Sequence, residues 1–421
     1  MDRRVAITGI GVVAPGEPGL KQFWERITEG RTATRTISTF DPAPYRSRIA
    51  AECDFDPFDA GLSQQEVRRL DRAAQFAVVC ARDALADSGL DPDTTPVDRT
   101  GVALGSAVGC TIRLESEYAV VSDSGKLWEV DHTYGVPHLY DYFVPSSLAA
   151  EVAWVAGAEG PATVVSAGCT SGVDAVGYAC ELIREGTADV MVTGGTEAPI
   201  SPITVACFDA IRATSNRNDD PEHALRPFSK SRNGFVLGEG SAVLVLEELG
   251  HALERNAHVY AEIAGFAARS NAYHMTGLRP DGREMAAAIT AALDQARLPA
   301  ESIGYVNAHG TATKQNDRHE TAAFKRALGA HAYDVPVSSI KAVTGHSLGA
   351  IGAIEVSACA MAIEHNVVPP TANLTDPDPE LDLDYVPLTA RDVPLSAVLT
   401  VASGFGGFQS AMVLTRPGRG L

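Results

Sequence analysis

Two hydrophobic rhythms alternate along the chain. Short, nearly unbroken apolar runs occupy Val5–Gly9, Gly101–Leu104, Thr163–Ser166, Val190–Thr193, Ala242–Leu246, Ile303–Ala308, Val335–Ile340 and Val398–Ala402. Runs without an alternating polar face predict strands covered on both sides, as in parallel sheets. Between them, Gln65–Ser88, Val173–Arg184, Glu284–Ala296, Arg318–Leu328 and Leu348–Glu364 carry their apolar residues at the helical period. Strands alternating with helices predict a layered α/β fold. Leu104–Ser147 breaks the rhythm, being irregular and aromatic, and reads as an insertion that covers a site or forms a subunit contact.

One pattern occurs twice. Thr163–Val173 and Val337–Ala350 each run from a strand through a glycine turn, one reactive side chain and a second glycine into a helix. Aligning Gly168 with Gly345 also pairs Cys169 with His346 and Gly172 with Gly349. The repeat predicts two halves related by a pseudo-dyad, residues 1–255 carrying Cys169 and residues 256–421 carrying His309 and His346. Cys169 and His346 would then face one shared crevice at the carboxyl ends of strands, where α/β proteins place their sites.

Composition narrows the partners. The 421 residues include 53 acidic and 34 basic ones, a formal charge of −19, which argues against nucleic acid or anionic lipid. No apolar run reaches the ~18 residues of a membrane span, and the N-terminus goes straight into a strand without a secretory pattern. Seven scattered cysteines with no C-x-x-C pair fit reduced thiols better than disulfides or a zinc site. A cytoplasmic protein with no metal, membrane or nucleic-acid partner is expected.

The chemistry concentrates at strand ends. Cys169, at a strand-to-helix turn, would sit on a helix N-terminus whose amides and dipole stabilise a thiolate and lower its pKa. Its small neighbours leave room for a carbonyl to approach the Cys169 amide, half of an oxyanion hole. Cys80, Cys180 and Cys359 lie in apolar helical runs and read as structural. His309 ends the strand Tyr305–Ala308 and is followed by Gly310, Thr311 and Thr313. His319, in a charged run, reads as solvated surface. His346 lies in Gly345-His346-Ser347-Leu348-Gly349, which also fits the G-x-S-x-G elbow with Ser347 as nucleophile. That reading needs a downstream histidine, and the one available, His365, is at the far end of the helix the elbow would start. Lys341 at a buried strand end needs an anionic partner, for which Glu320 is the candidate, unless it is an ordinary surface lysine. Gly9-Ile10-Gly11-Val12-Val13-Ala14 fits a dinucleotide fingerprint, but Pro15-Gly16 breaks the required helix. Ser403–Phe408 reads as a glycine-rich loop whose phenylalanines could gate a pocket or whose backbone could supply an N–H.

With Cys169, His309 and His346 in that order, the sequence resembles β-ketoacyl synthases of the thiolase superfamily over essentially its whole length. The resemblance rests on Ala167-Gly168-Cys169, Asn307-Ala308-His309-Gly310-Thr311 and Lys341-Ala342-Val343-Thr344-Gly345-His346-Ser347. Within the superfamily it is most similar to the ketosynthase α subunits of bacterial type II aromatic polyketide synthases, through Ala206–Thr214, Arg217–Ala224 and Asn271–Leu278. Lys314-Gln315-Asn316-Asp317 departs from the Gly-Asp step of fatty-acid members.

The resemblance implies a five-layered α-β-α-β-α thiolase fold and decarboxylative Claisen condensation of malonyl-carrier-protein with an acyl chain held on Cys169. It implies no permanently bound cofactor, since substrates arrive on the phosphopantetheine arm of an acyl carrier protein. It also implies a heterodimeric partner, the chain-length factor. His309 and His346 would stabilise the enolate, Lys341 with Glu320 would orient them, and the amides of Cys169 and Phe405 would hold the oxyanion. Thr311 and Thr313 would bind the pantetheine arm, with Phe405 and Phe408 on the substrate side. Arg68 and Arg69 are a candidate carrier-docking patch or, equally, a solvated helix face. The alternatives are a homodimeric fatty-acid elongation synthase and a non-catalytic scaffold, against which the presence of Cys169 argues.

Overall fold

The computed structural model describes residues 3–91 and 95–418. Ten strands make one long sheet: β1 Val5–Val13, β2 Thr100–Gly105, β3 Ala162–Val165, β4 Val190–Glu197, β5 Gly240–Glu248, β6 Ala261–Ser270, β7 Tyr305–Asn307, β8 Val337–Ser338, β9 Ala397–Gly404 and β10 Phe408–Thr415. Their spatial order is β8-β7-β9-β10-β6-β1-β5-β4-β2-β3. Counted outward from the centre, the first, fifth, fourth, second and third strands of each half follow one another, in both halves. The senses also agree: the inner two pairings of each half are antiparallel and the outer two parallel. Among the described residues, the two half-sheets pair where Ala6 and Ile7 of β1 meet Glu262 and Ala261 of β6. Arg4 clasps this seam with paired 2.7 Å bonds to Glu262.

Helices complete the layers. α1 (Arg72–Ser88) covers the outside of the first half-sheet against β1 and β5, while α2 (Ser171–Arg184) lies inside. α3 (Arg283–Ala296) and α4 (Lys314–Leu328) cover the second half, and α5 (Ile351–His365) returns to the middle. Every residue of α5 from Ile351 to Ile363 is buried, as an all-round apolar helix must be, and it packs on strands of both halves. The result is the thiolase-like α-β-α-β-α sandwich. α2 and α5 cross where both carry glycine: a Cβ on Gly172 would lie 2.6 Å from Ala353 N, and one on Gly352 the same distance from Val173 N. This close crossing draws the turns before the two helices together.

The elements differ from the sequence expectations in four places. The helix expected over Gln65–Ser88 is two, Gln64–Arg69 and α1, because Asp71 breaks the run to cap α1 through Ala73 N–H. α5 starts at Ile351 and not Leu348, whose φ of +46° keeps it in the turn. β6 and β10 were not expected; polar Arg269, Gln409 and Ser410 interrupt their apolar patterns. The insertion after Gly105 contains helices Thr111–Val121 and Leu139–Phe143, with Trp128, Tyr140 and Phe143 facing outward. Among the described residues, no helix is long and apolar enough to cross a membrane.

Candidate active site

The turn after β3 presents Cys169. Gly168 adopts φ +60°, and a Cβ there would approach the Phe405 carbonyl oxygen to 3.3 Å, so the Cys169 turn and the Phe405 loop touch backbone to backbone. Ser171 ties the turn, accepting from Ala167 N–H at 2.9 Å and donating to Gly168 O at 2.6 Å. The amides of Cys169 and Phe405, the pair expected to face an oxyanion, both favour the charged form of the thiol. The expected low pKa is not found. Burial pushes the Cys169 thiol up to about 11, and the Lys341 charge and the two amides offset this only in part. The helix-terminus argument was outweighed by desolvation of the charged form.

His309 follows β7. Its N–H donates to Glu320 Oε1 at 2.6 Å and the Gly310 N–H to Oε2 at 2.7 Å, while Ala308 N–H is held by Ser338 O. His346 follows β8 and is pinned through its own backbone, its N–H on Val236 O at 2.8 Å and its carbonyl on Gly238 N–H at 3.0 Å. The two imidazoles meet edge to face, with centroids 5.2 Å apart and planes at 85°, and Phe235 packs edge-on against His346. Both rings are 2% exposed, and both pKa values fall well below 6.5. Burial is the main cause; the Lys341 charge adds to it for both, and His346 for His309. Each ring is therefore neutral, with one N–H to give.

Lys341 is fully buried and opens a short helical turn, Lys341–Thr344. Its ion-pair partner is Glu355 of α5, not Glu320 as expected. α5 lies directly across from Lys341, whereas Glu320 is already occupied by the His309 and Gly310 amides. Burial raises the Glu355 carboxyl to about 7 against the pull of Lys341. His319 is likewise not solvated: it is buried, with Nδ1 2.6 Å from Arg279 O, because α4 turns that face under the 271–282 loop. Ser347 is buried and His365 stacks on Trp24 at the far end of α5, which removes the serine-elbow reading.

Cys169, His309, His346, Thr311, Thr313 and Phe405 line one cavity of about 490 Å³. The Thr311 and Thr313 hydroxyls lie 3.1 Å apart on its wall. Phe408, at the start of β10, is not among the lining residues; its ring lies over Gly406. Arg68 is exposed, but Arg69 is bound to Glu151 at 2.6 Å and lies over Trp154, so only half of that basic pair is open to a partner. Residues missed from sequence include Phe208 and Phe235 of the lining, Asn316, and two buried acids. Glu355 was detectable as the one charge within the apolar stretch Ile351–Ile363. Glu197, at the end of β4, accepts from the amides of Ala107, Val108, Gly109 and Gly349 and from Ser106 Oγ, and has no ion-pair partner among the described residues. Burial raises it to about 7.

Residues 2–252 match the N-terminal domain of β-ketoacyl synthases and residues 260–375 the C-terminal domain. The chain is 68% identical over 416 residues to the tetracenomycin polyketide synthase ketoacyl synthase alpha subunit of Streptomyces glaucescens, covering 99% of this chain and 98% of that one. It is 42% identical over 406 residues to 3-oxoacyl-[acyl-carrier-protein] synthase 2 of Synechocystis, covering 96% of each. Among solved structures, a type II polyketide synthase acyl-carrier protein in complex with its ketosynthase bound to the hexaketide matches with a TM-score of 0.92 at 37% identity, over 99% of this chain and 100% of that one. The ishigamide ketosynthase/chain length factor matches with a TM-score of 0.90 at 32% identity, over 99% of this chain and 100% of that one.

Proposed function

Because the chain belongs to the β-ketoacyl synthase family of condensing acyltransferases, we propose that its cavity builds a poly-β-ketone chain by decarboxylative condensation, with Cys169 as the acyl carrier. The observation that carries the reading is one thiol, its turn packed against the Phe405 backbone, sharing a cavity with two neutral imidazoles set edge to face. The margin of 68% over 42% identity favours polyketide synthesis over fatty-acid elongation.

An acyl thioester on a pantetheine arm exchanges with Cys169: the S–acyl bond to the arm breaks, the bond to Cys169 forms, and the thiol proton leaves with the departing arm sulfur. A malonyl thioester then enters. Its C–CO₂ bond breaks, CO₂ departs, and the electron pair becomes an enolate whose oxygen accepts an N–H from His309 and from His346. Neutral imidazoles suit this task, and each donor contributes about 3 kcal/mol. The carbanion attacks the acyl carbonyl on Cys169, the amides of Cys169 and Phe405 hold the oxyanion, and the sulfur leaves. Burial, reinforced by the Lys341 charge, keeps both rings unprotonated and Glu355 balances that charge, while Glu320 fixes the His309 backbone. Thr311 and Thr313 face the pantetheine amides, and Phe405 gates the acyl side.

The division of the two halves falls near residue 255, after the helix Leu249–Glu254. We assign the exposed aromatic face of the insertion, with Trp128 98% exposed, to a chain-length-factor partner, and the cavity mouth to an acyl carrier protein. Co-expression with such a partner and a carrier, followed by mass spectrometry of the released chain, tests the reading. Successive ketide additions are expected, and none with Cys169→Ala; condensation by that variant would refute it.

A further inference from the structure

Two acids, Asp317 and Glu320, lie fully buried on one face of α4. Asp317 has help: it accepts from Phe228 N–H at 2.9 Å and faces Arg232 at 3.4 Å. Among the described residues Glu320 has no ion-pair partner, and its three donors are the amides of His309 and Gly310 and one side chain, Asn316, whose Nδ2 is 2.7 Å from Oε2. The same Nδ2 also reaches Asp317 Oδ1 at 3.3 Å. Both neighbours are carboxylate oxygens, which accept, so the amide must turn its NH₂ toward them. Its own Oδ1 is then buried with no hydrogen-bond partner among the described residues. A carbonyl left unpartnered is a cost, so the residue's contribution lies in its donor side. Asn316 lines the catalytic cavity, within the stretch where the sequence leaves the fatty-acid pattern.

Building on the condensing reaction above, we propose that Asn316 is a positioning residue: its side-chain amide bridges Asp317 and Glu320, keeps the Glu320 carboxylate on the His309 and Gly310 amides, and so sets the His309 imidazole for the enolate.

The groups facing Glu320 are Asp317 on its own helix, Lys341 on the turn opposite, the neutral His309, and Tyr385 from the C-terminal segment. Burial and the Asp317 charge push Glu320 up to about 8, opposed by the Gly310 amide, Lys341 and Asn316. Removing the Asn316 donor therefore raises it further, and protonation of Glu320 would begin at higher pH. Asn316→Ala and Asn316→Asp would be measured with partner and carrier present, following malonyl decarboxylation from about pH 6 to about pH 9. Asn316→Ala is expected to lose roughly tenfold in kcat near neutral pH, to recover as pH rises, and to leave KM for the malonyl carrier unchanged. Asn316→Asp, of the same shape but adding a third negative charge, should shift the acid limb further up. A pH profile that superimposes on wild type, or a loss equal at all pH values, overturns the proposal. Should Asn316→Ala fail to fold, the isosteric Asp variant alone decides by the same criterion. Absence of decarboxylation by the unmodified complex would instead strike at the condensing function itself.

Discussion

The two halves share strand order and strand sense, yet they put different things after equivalent strands. The third strand leads to Cys169 in one half and to His346 in the other. The second strand leads to His309 in the later half, but to the Ser106–Gly109 loop and the aromatic insertion in the earlier one. In both halves a buried carboxylate with no ion-pair partner among the described residues holds the amides beyond the second strand: Glu197 grips Ala107 to Gly109, and Glu320 grips His309 and Gly310. The comparison teaches that one backbone device occurs twice with different cargo, a cavity imidazole on one side and an exposed aromatic insertion on the other.

The comparison can be broken at Lys341, the buried ammonium of the later half. Lys341→Ala leaves Glu355 unpaired in the core and should cost about 3–5 kcal/mol of stability in denaturant unfolding. The double variant Lys341→Met, Glu355→Leu should recover most of it; no recovery would mean that the pair does not act as a unit. Next in size, His309→Ala or His346→Ala should each lose about 3 kcal/mol, roughly a hundredfold, in malonyl decarboxylation while Cys169 still takes up an acyl group. Equal loss of acylation would contradict the division of labour between halves. Smallest is the insertion: Trp128→Ser should weaken partner association by about 2 kcal/mol, read by titration calorimetry, while shifting the chain's own stability by no more than about 0.5 kcal/mol.

Much of this was legible in the sequence because buried strands and glycine turns announce themselves locally. The repeat around Cys169 and His346 needed only two short stretches, and the cavity does bring Cys169, His309, His346, Thr311, Thr313 and Phe405 together. What could not be read were choices made by packing. Glu320 was the candidate partner for Lys341, and the course of α5 across it brings Glu355 there instead. His319 sits in a charged run, yet the loop at Arg279 covers it. For Cys169 the dipole of α2 was visible in sequence, whereas the burial that overrides it comes from a cavity lined by both halves.

That burial has a consequence for the resting enzyme. Peroxide and stray electrophiles react with thiolate and scarcely with thiol. A sulfur held protonated by its surroundings is shielded from overoxidation between turnovers and gains its nucleophilicity only when an incoming thioester carbonyl is there to receive the charge.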